Sequence, residues 1–142
     1  GLESGEFFGF QGEMLQMPAN KMNPVTGVPT PLLIGGHADV ALKRAARVGD
    51  GWMCAGADLQ QLGAYLSRIG QLREEYGTAD RPFRVFTTGQ DAFTREGIEQ
   101  LEEIGVTDVV IGFRNVYAME EDKPLEEKIA MLNWYAGEFI KG

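Results

Sequence analysis

The sequence predicts an α/β fold made of parallel βα units, about half of a TIM-like (β/α)8 barrel with four strands and four helices. Three observations predict it. Four short apolar segments recur along the chain, each ending in small or polar residues. A helical pattern with its own start and stop signals follows each of them. The regular part, residues 31–142, holds about 110 residues, whereas a complete barrel takes roughly 250.

Residues 1–30 stand apart. Gly5, Gly9, Gly12 and Gly27 alternate with Phe7, Phe8 and Phe10 and with Pro18, Pro24 and Pro29. This reads as an irregular Gly/Pro-rich lead-in, with a short β-hairpin expected around Phe7–Leu15. The first strand is expected at Leu32–Ile34, closed by Gly35-Gly36. A helix over Asp39–Val48 follows, supported by the Asp39/Lys43 pair four residues apart and stopped at Gly49. The second strand is expected at Gly51–Cys54, ending in Ala55-Gly56. Asp58 and Gln61 form a capping box that opens a helix over Leu59–Tyr76, and its apolar stripe runs through Leu59, Leu62, Leu66, Ile69 and Leu72. The third strand is expected at Phe83–Thr87, before a short helix over Arg95–Ile104 capped by Thr94. The fourth is expected at Asp108–Phe113. The last helix, Pro124–Ile140, places Leu125, Ile129, Leu132, Ala136 and Phe139 on one face, which is the expected core face.

Composition narrows the function. Of the 142 residues 44% are hydrophobic, enough for one sizeable core, and the net charge is −8. That charge, with an isoelectric point near 4.6, argues against nucleic acid and anionic membranes as partners. Cys54 is the single cysteine, which excludes an intrachain disulfide and a cysteine-based metal cluster. No apolar run approaches the ~18 residues of a membrane span, and no signal-peptide pattern is present. A cytoplasmic location is the expectation.

The candidate site lies at the end of the first strand. Gly35 and Gly36 sit where a strand gives way to a helix, so exposed N–H groups and the positive end of the helix dipole favour a phosphate. The competing reading is a tight turn that needs glycine and binds nothing. His37, the one histidine, is read either as a polar loop residue or as a contact to a bound cofactor. A metal role for it lacks a surrounding ligand cluster. Cys54 and Trp52 read as packing residues. Arg114, just past the fourth strand, suits an anion through a bidentate contact, or else is a surface arginine.

The stretch PLLIGG, followed by ALKRAARVGDGW, resembles the luciferase-like monooxygenase superfamily of flavin- and deazaflavin-dependent barrel oxidoreductases. The matching residues are Pro29 to Pro31, Leu32 to Gly36, Ala41 to Val48 and Gly49 to Trp52. EFFGFQGE in the lead-in and IGVTDVVIGF at Ile104–Phe113 extend the resemblance, which covers the C-terminal half of the family pattern. It implies a barrel holding FMN or a deazaflavin (coenzyme F-420) at the carboxyl ends of the strands. Gly35 and Gly36 match the residues against the cofactor's phosphate-bearing tail, and Ala55 and Gly56 match positions bordering cofactor or substrate. Ala38 departs from the pattern, which often has Ser or Thr there.

The expectation is therefore part of a flavin- or deazaflavin-dependent oxidoreductase acting on a small-molecule substrate. This half is expected to supply the phosphate grip and to be inactive alone, because the N-terminal half of such enzymes supplies much of the ring pocket and the catalytic groups. No catalytic acid or base is identifiable. The rival reading is a non-catalytic half-barrel for binding or assembly. A phosphate-binding lyase or isomerase ranks lower, since no strand end carries a lysine. Four parallel strands leave two open edges, so a homodimer or pairing with the N-terminal half is expected.

Overall fold

The computed structural model describes residues 4–113 and 123–140. The chain divides into two units, one ending at Pro31 and the other starting at Leu32.

In the first unit, β1 (Phe8–Gln11) pairs antiparallel with β2 (Gln16–Asn20), with Phe10 opposite Met17 and Gln11 opposite Gln16. The Gly12 N–H donates to the Leu15 carbonyl at 2.9 Å and closes the turn. The hairpin thus extends beyond the expected Phe7–Leu15, because the second strand only begins after Leu15.

The second unit alternates strand and helix: β3 (Leu33–Gly35), α1 (Asp39–Val48), β4 (Gly51–Ala55), α2 (Leu59–Glu75), β5 (Arg84–Thr88), a 3-10 turn (Gln90–Phe93), α3 (Arg95–Glu103), β6 (Asp108–Val109) and α4 (Leu125–Phe139). The four strands form one parallel sheet in the order β3-β4-β5-β6. This is the α/β half-barrel arrangement that the alternation implied.

Strand alternation sorts the sheet into two faces. Trp52, Cys54 and Val85 point into the helix layer, where they are buried with Leu42, Ala45, Leu62 and Leu72. Burying each of the large apolar side chains contributes about 1.5–3 kcal/mol. The register Gly35–Met53–Phe86–Asp108 marks a row on the other face. Met53 and Phe86 there are half-buried, and the guanidinium of Arg84 covers the Phe86 ring 4.7 Å from its centroid while pairing with Asp108. Gly51 is required by close approach: a Cβ there would run into the Arg84 carbonyl and the Leu33 side chain.

Several features differ from expectation. β3 is shifted by one residue, because Gly35 is still in the ladder opposite Met53. β6 is two residues long instead of six. Among the described residues it pairs with β5 alone, and beyond Val109 the Val110 N–H reaches the Thr87 carbonyl at 2.8 Å. The chain then leaves the sheet, and Phe113 packs edge-on against Phe93 and Tyr135. The last difference is in α4, where most of the predicted core stripe is turned to solvent and only its Phe139 is half-buried, against Tyr135. Leu125, Ile129 and Leu132 are 68%, 47% and 57% exposed. The helix docks instead through Tyr135, whose hydroxyl donates to the Ala92 carbonyl at 2.9 Å. Burial pushes that phenol above its ordinary pKa.

Candidate functional site at the strand ends

The carboxyl ends of β3 and β4 lie side by side, so Gly35, Gly36 and His37 neighbour Ala55 and Gly56 along one rim of the sheet. Gly36 has φ +108°, a region that L side chains rarely adopt, and a Cβ would sit 3.1 Å from that of Ala41. The turn therefore demands glycine at position 36 on backbone grounds alone. Gly35 is different. Its backbone is ordinary, and the nearest atom a Cβ would meet is the Met53 carbonyl oxygen at 4.0 Å. Neither strain nor crowding in this chain accounts for it.

Helix α1 begins behind this turn without a side-chain cap. Its N-cap is Ala38, which has no side-chain oxygen for the first-turn N–H groups, while its carbonyl accepts from the Ala41 N–H at 2.8 Å. Helices α2 and α3 close their own starts: Asp58 accepts from Gln61 N–H at 2.8 Å in a full capping box, and Thr94 accepts from Gly97 N–H at 3.0 Å. Unsatisfied N–H groups at a helix start are suited to anions. Asp39 in that first turn opposes an anion by charge, but Lys43 at 2.7 Å and Arg68 at 3.0 Å neutralise it. The hydrogen bonds from Lys43 and then Arg68 hold its carboxyl below the usual pKa.

The His37 ring is held from the helix side. It stacks on Tyr65 of α2 with centroids 5.2 Å apart and planes within 10°. Its Nε2 lies 3.4 Å from Cys54 Sγ. Trp52 packs edge-on to both rings and donates its Nε1–H to the Gly36 carbonyl at 2.9 Å. The ring of His37 thus serves the helix layer, while its backbone belongs to the turn. Cys54 is fully buried, and desolvation pushes its thiol above the ordinary pKa, which opposes a nucleophilic role.

Arg114 lies outside the described residues. Sequence reasoning missed Tyr65; its place beside Leu62 and Leu66 in the α2 stripe was the available signal. It also missed Met53 and Phe86, which line the open sheet face below the rim. Among the described residues no cluster of three or more His, Cys, Asp or Glu side chains is placed to hold a metal. No described helix is long and apolar enough to cross a membrane. The rim offers backbone donors, a neutralised acid and room beside Gly35, which together fit the phosphate end of a nucleotide-like cofactor.

The family model for luciferase-like monooxygenase matches residues 1–131. Uncharacterized proteins of Mycobacterium bovis and Mycobacterium tuberculosis are 45% identical over 141 residues, 99% of this chain and 48% of theirs. The chain thus spans about half the length of the curated relatives it matches. The structure of a coenzyme F-420 dependent tetrahydromethanopterin reductase from Methanopyrus kandleri superposes with a TM-score of 0.59 at 13% identity, over 79% of this chain and 54% of that one. The chain belongs to the luciferase-like monooxygenase family.

Proposed function

We infer that this chain is part of a flavin- or deazaflavin-dependent oxidoreductase and supplies the phosphate-binding strand ends of its cofactor site. The uncapped start of α1 behind Gly35-Gly36 is the observation that carries the reading. In a luciferase-like chain, a glycine that neither strain nor crowding requires has a ready explanation in a cofactor tail passing close to the backbone. Bound FMN or deazaflavin supplies the redox chemistry, with a small molecule as the other reactant. The dependence of the Methanopyrus reductase on coenzyme F-420 supports the deazaflavin choice, and the family's name supports flavin equally.

The protein's own residues do the positioning. First-turn N–H groups of α1 bind the phosphate. Gly36 sets the turn, and the Trp52 indole and the Tyr65 ring hold it in place. Gly35, Ala55 and Gly56 leave room for the tail. No acid or base for a substrate is assigned to the described residues, and in this reading groups from elsewhere in a full barrel complete the reaction. Cytoplasm is the proposed location.

A second reading, a binding or assembly module without redox activity, is favoured by the open sheet face bearing Met53 and Phe86. Titration of the purified chain with FMN and with the deazaflavin, followed by fluorescence, separates the two. Saturable binding of either supports the cofactor site. No binding of either up to millimolar concentration supports the module.

A further inference from the structure

We infer that Lys43 and Arg68 are positioning residues for the phosphate site: they hold the Asp39 carboxylate away from the start of α1 and so keep its N–H groups for a ligand. This rests on the phosphate reading of that helix start and adds the residues that set its strength.

The contest begins in the sequence. Asp39 is the first residue of α1, directly after the N-cap Ala38. A carboxylate in a first turn is drawn to the helix's own N–H groups and to the positive end of its dipole. The Ala41 N–H bonds to the Ala38 carbonyl at 2.8 Å, so Asp39 and Val40 carry the N–H groups at stake. A carboxylate folded onto them would act as Asp58 does for α2, where the side chain accepts from the Gln61 N–H at 2.8 Å. A phosphate would then have to displace an acceptor already in place.

The structure has the opposite arrangement. No side chain caps α1. Both Asp39 oxygens are turned to cations instead. Oδ2 lies 2.7 Å from Lys43 Nζ, and Oδ1 accepts from Arg68 Nε of α2 at 3.0 Å. Lys43 follows Asp39 by four residues, the favourable order for such a pair on one helix. Arg68 is 29 residues away in sequence, so the packing of α2 beside α1 delivers it. Glu75, 4.0 Å from Arg68 Nη1, holds the guanidinium from its other side. Hydrogen bonds from Lys43 and then Arg68 hold the Asp39 carboxyl below its usual pKa, so at neutral pH it is an anion. Without these two partners it would compete with a phosphate for the same N–H groups and repel it by charge.

Isothermal titration of the full chain with FMN and with riboflavin tests this. Arg68→Gln should weaken FMN binding by about threefold to tenfold and leave riboflavin unchanged, since FMN alone carries the phosphate. Lys43→Gln should act in the same direction. Asp39→Ala added to Arg68→Gln removes the competing acceptor and should return FMN affinity at least to that of the wild type. Damage to the fold would not produce such a rescue. FMN binding that neither cation variant weakens overturns the proposal. So does a loss shared equally by riboflavin, or one that Asp39→Ala fails to restore. If the wild-type chain binds FMN no better than riboflavin, the phosphate site itself falls, and this proposal with it.

Discussion

The indole Nε1–H of Trp52 donates to the carbonyl of Gly36 at 2.9 Å. One residue is the buried centre of the sheet's helix face, and the other is the left-handed turn in front of α1. The bond ties the interior to the rim. Packing of the core therefore sets how the first-turn N–H groups of α1 are presented.

Trp52→Phe keeps an aromatic group in the core and deletes that donor. The variant should lose about 1–3 kcal/mol from the orphaned carbonyl and the lost bond, with some added cavity cost. Urea denaturation measures the loss, and cofactor affinity should fall with it. Unchanged affinity would mean that the turn keeps its shape without the indole.

Gly35→Ala and Gly36→Ala separate cofactor contact from backbone demand. At Gly36 the φ of +108° makes alanine strained, so stability should drop by about 1–3 kcal/mol. At Gly35 a methyl meets nothing closer than 4.0 Å, so the melting temperature should hold while cofactor binding weakens. If Gly35→Ala binds normally, the tail does not pass there.

The Cys54 thiol should be inert in the folded protein. It is fully buried and its pKa is raised by desolvation. Ellman's reagent at pH 8 should react slower than with the unfolded chain by roughly two orders of magnitude. Rapid native labelling would show that the sheet and α2 separate readily around His37 and Tyr65.

Acid should weaken the fold through Asp39 and Asp108. Hydrogen bonds from Lys43 and then Arg68 lower Asp39, and bonds from Arg84 and then Thr107 lower Asp108, both from 3.8. A carboxyl depressed on folding adds stability that is fully present above 3.8 and is lost as pH falls through the folded value. Stability should thus stay level from neutral pH down to about 5 and decline below about 4. The contribution is small, since both groups are near the surface. Asp108→Asn should flatten part of the acid limb, and an unaltered limb would remove Asp108 from this account.

The sequence carried the strand and helix alternation because each element had its own local signal. Asp58 with Gln61 marked the start of α2, and the Leu62–Ile69–Leu72 spacing marked its buried face. The α4 stripe misled for a physical reason. Periodicity reports that a face is apolar but not what covers it, and here Tyr135 takes the core position while Leu125, Ile129 and Leu132 stay outside. The strand-to-helix turn was legible in Gly35-Gly36, because a backbone at positive φ calls for glycine. The cage around His37 was not, since Tyr65 lies 28 residues away in sequence and meets it only after α2 folds over the sheet.

Comparison of FMN with riboflavin tests the central claim most directly, because the two differ only by the phosphate. Isothermal titration of the full chain should show FMN binding at least tenfold tighter than riboflavin, and Gly35→Ala should reduce that difference. Equal affinities for the two, or a difference that Gly35→Ala leaves intact, would contradict a phosphate grip at the start of α1.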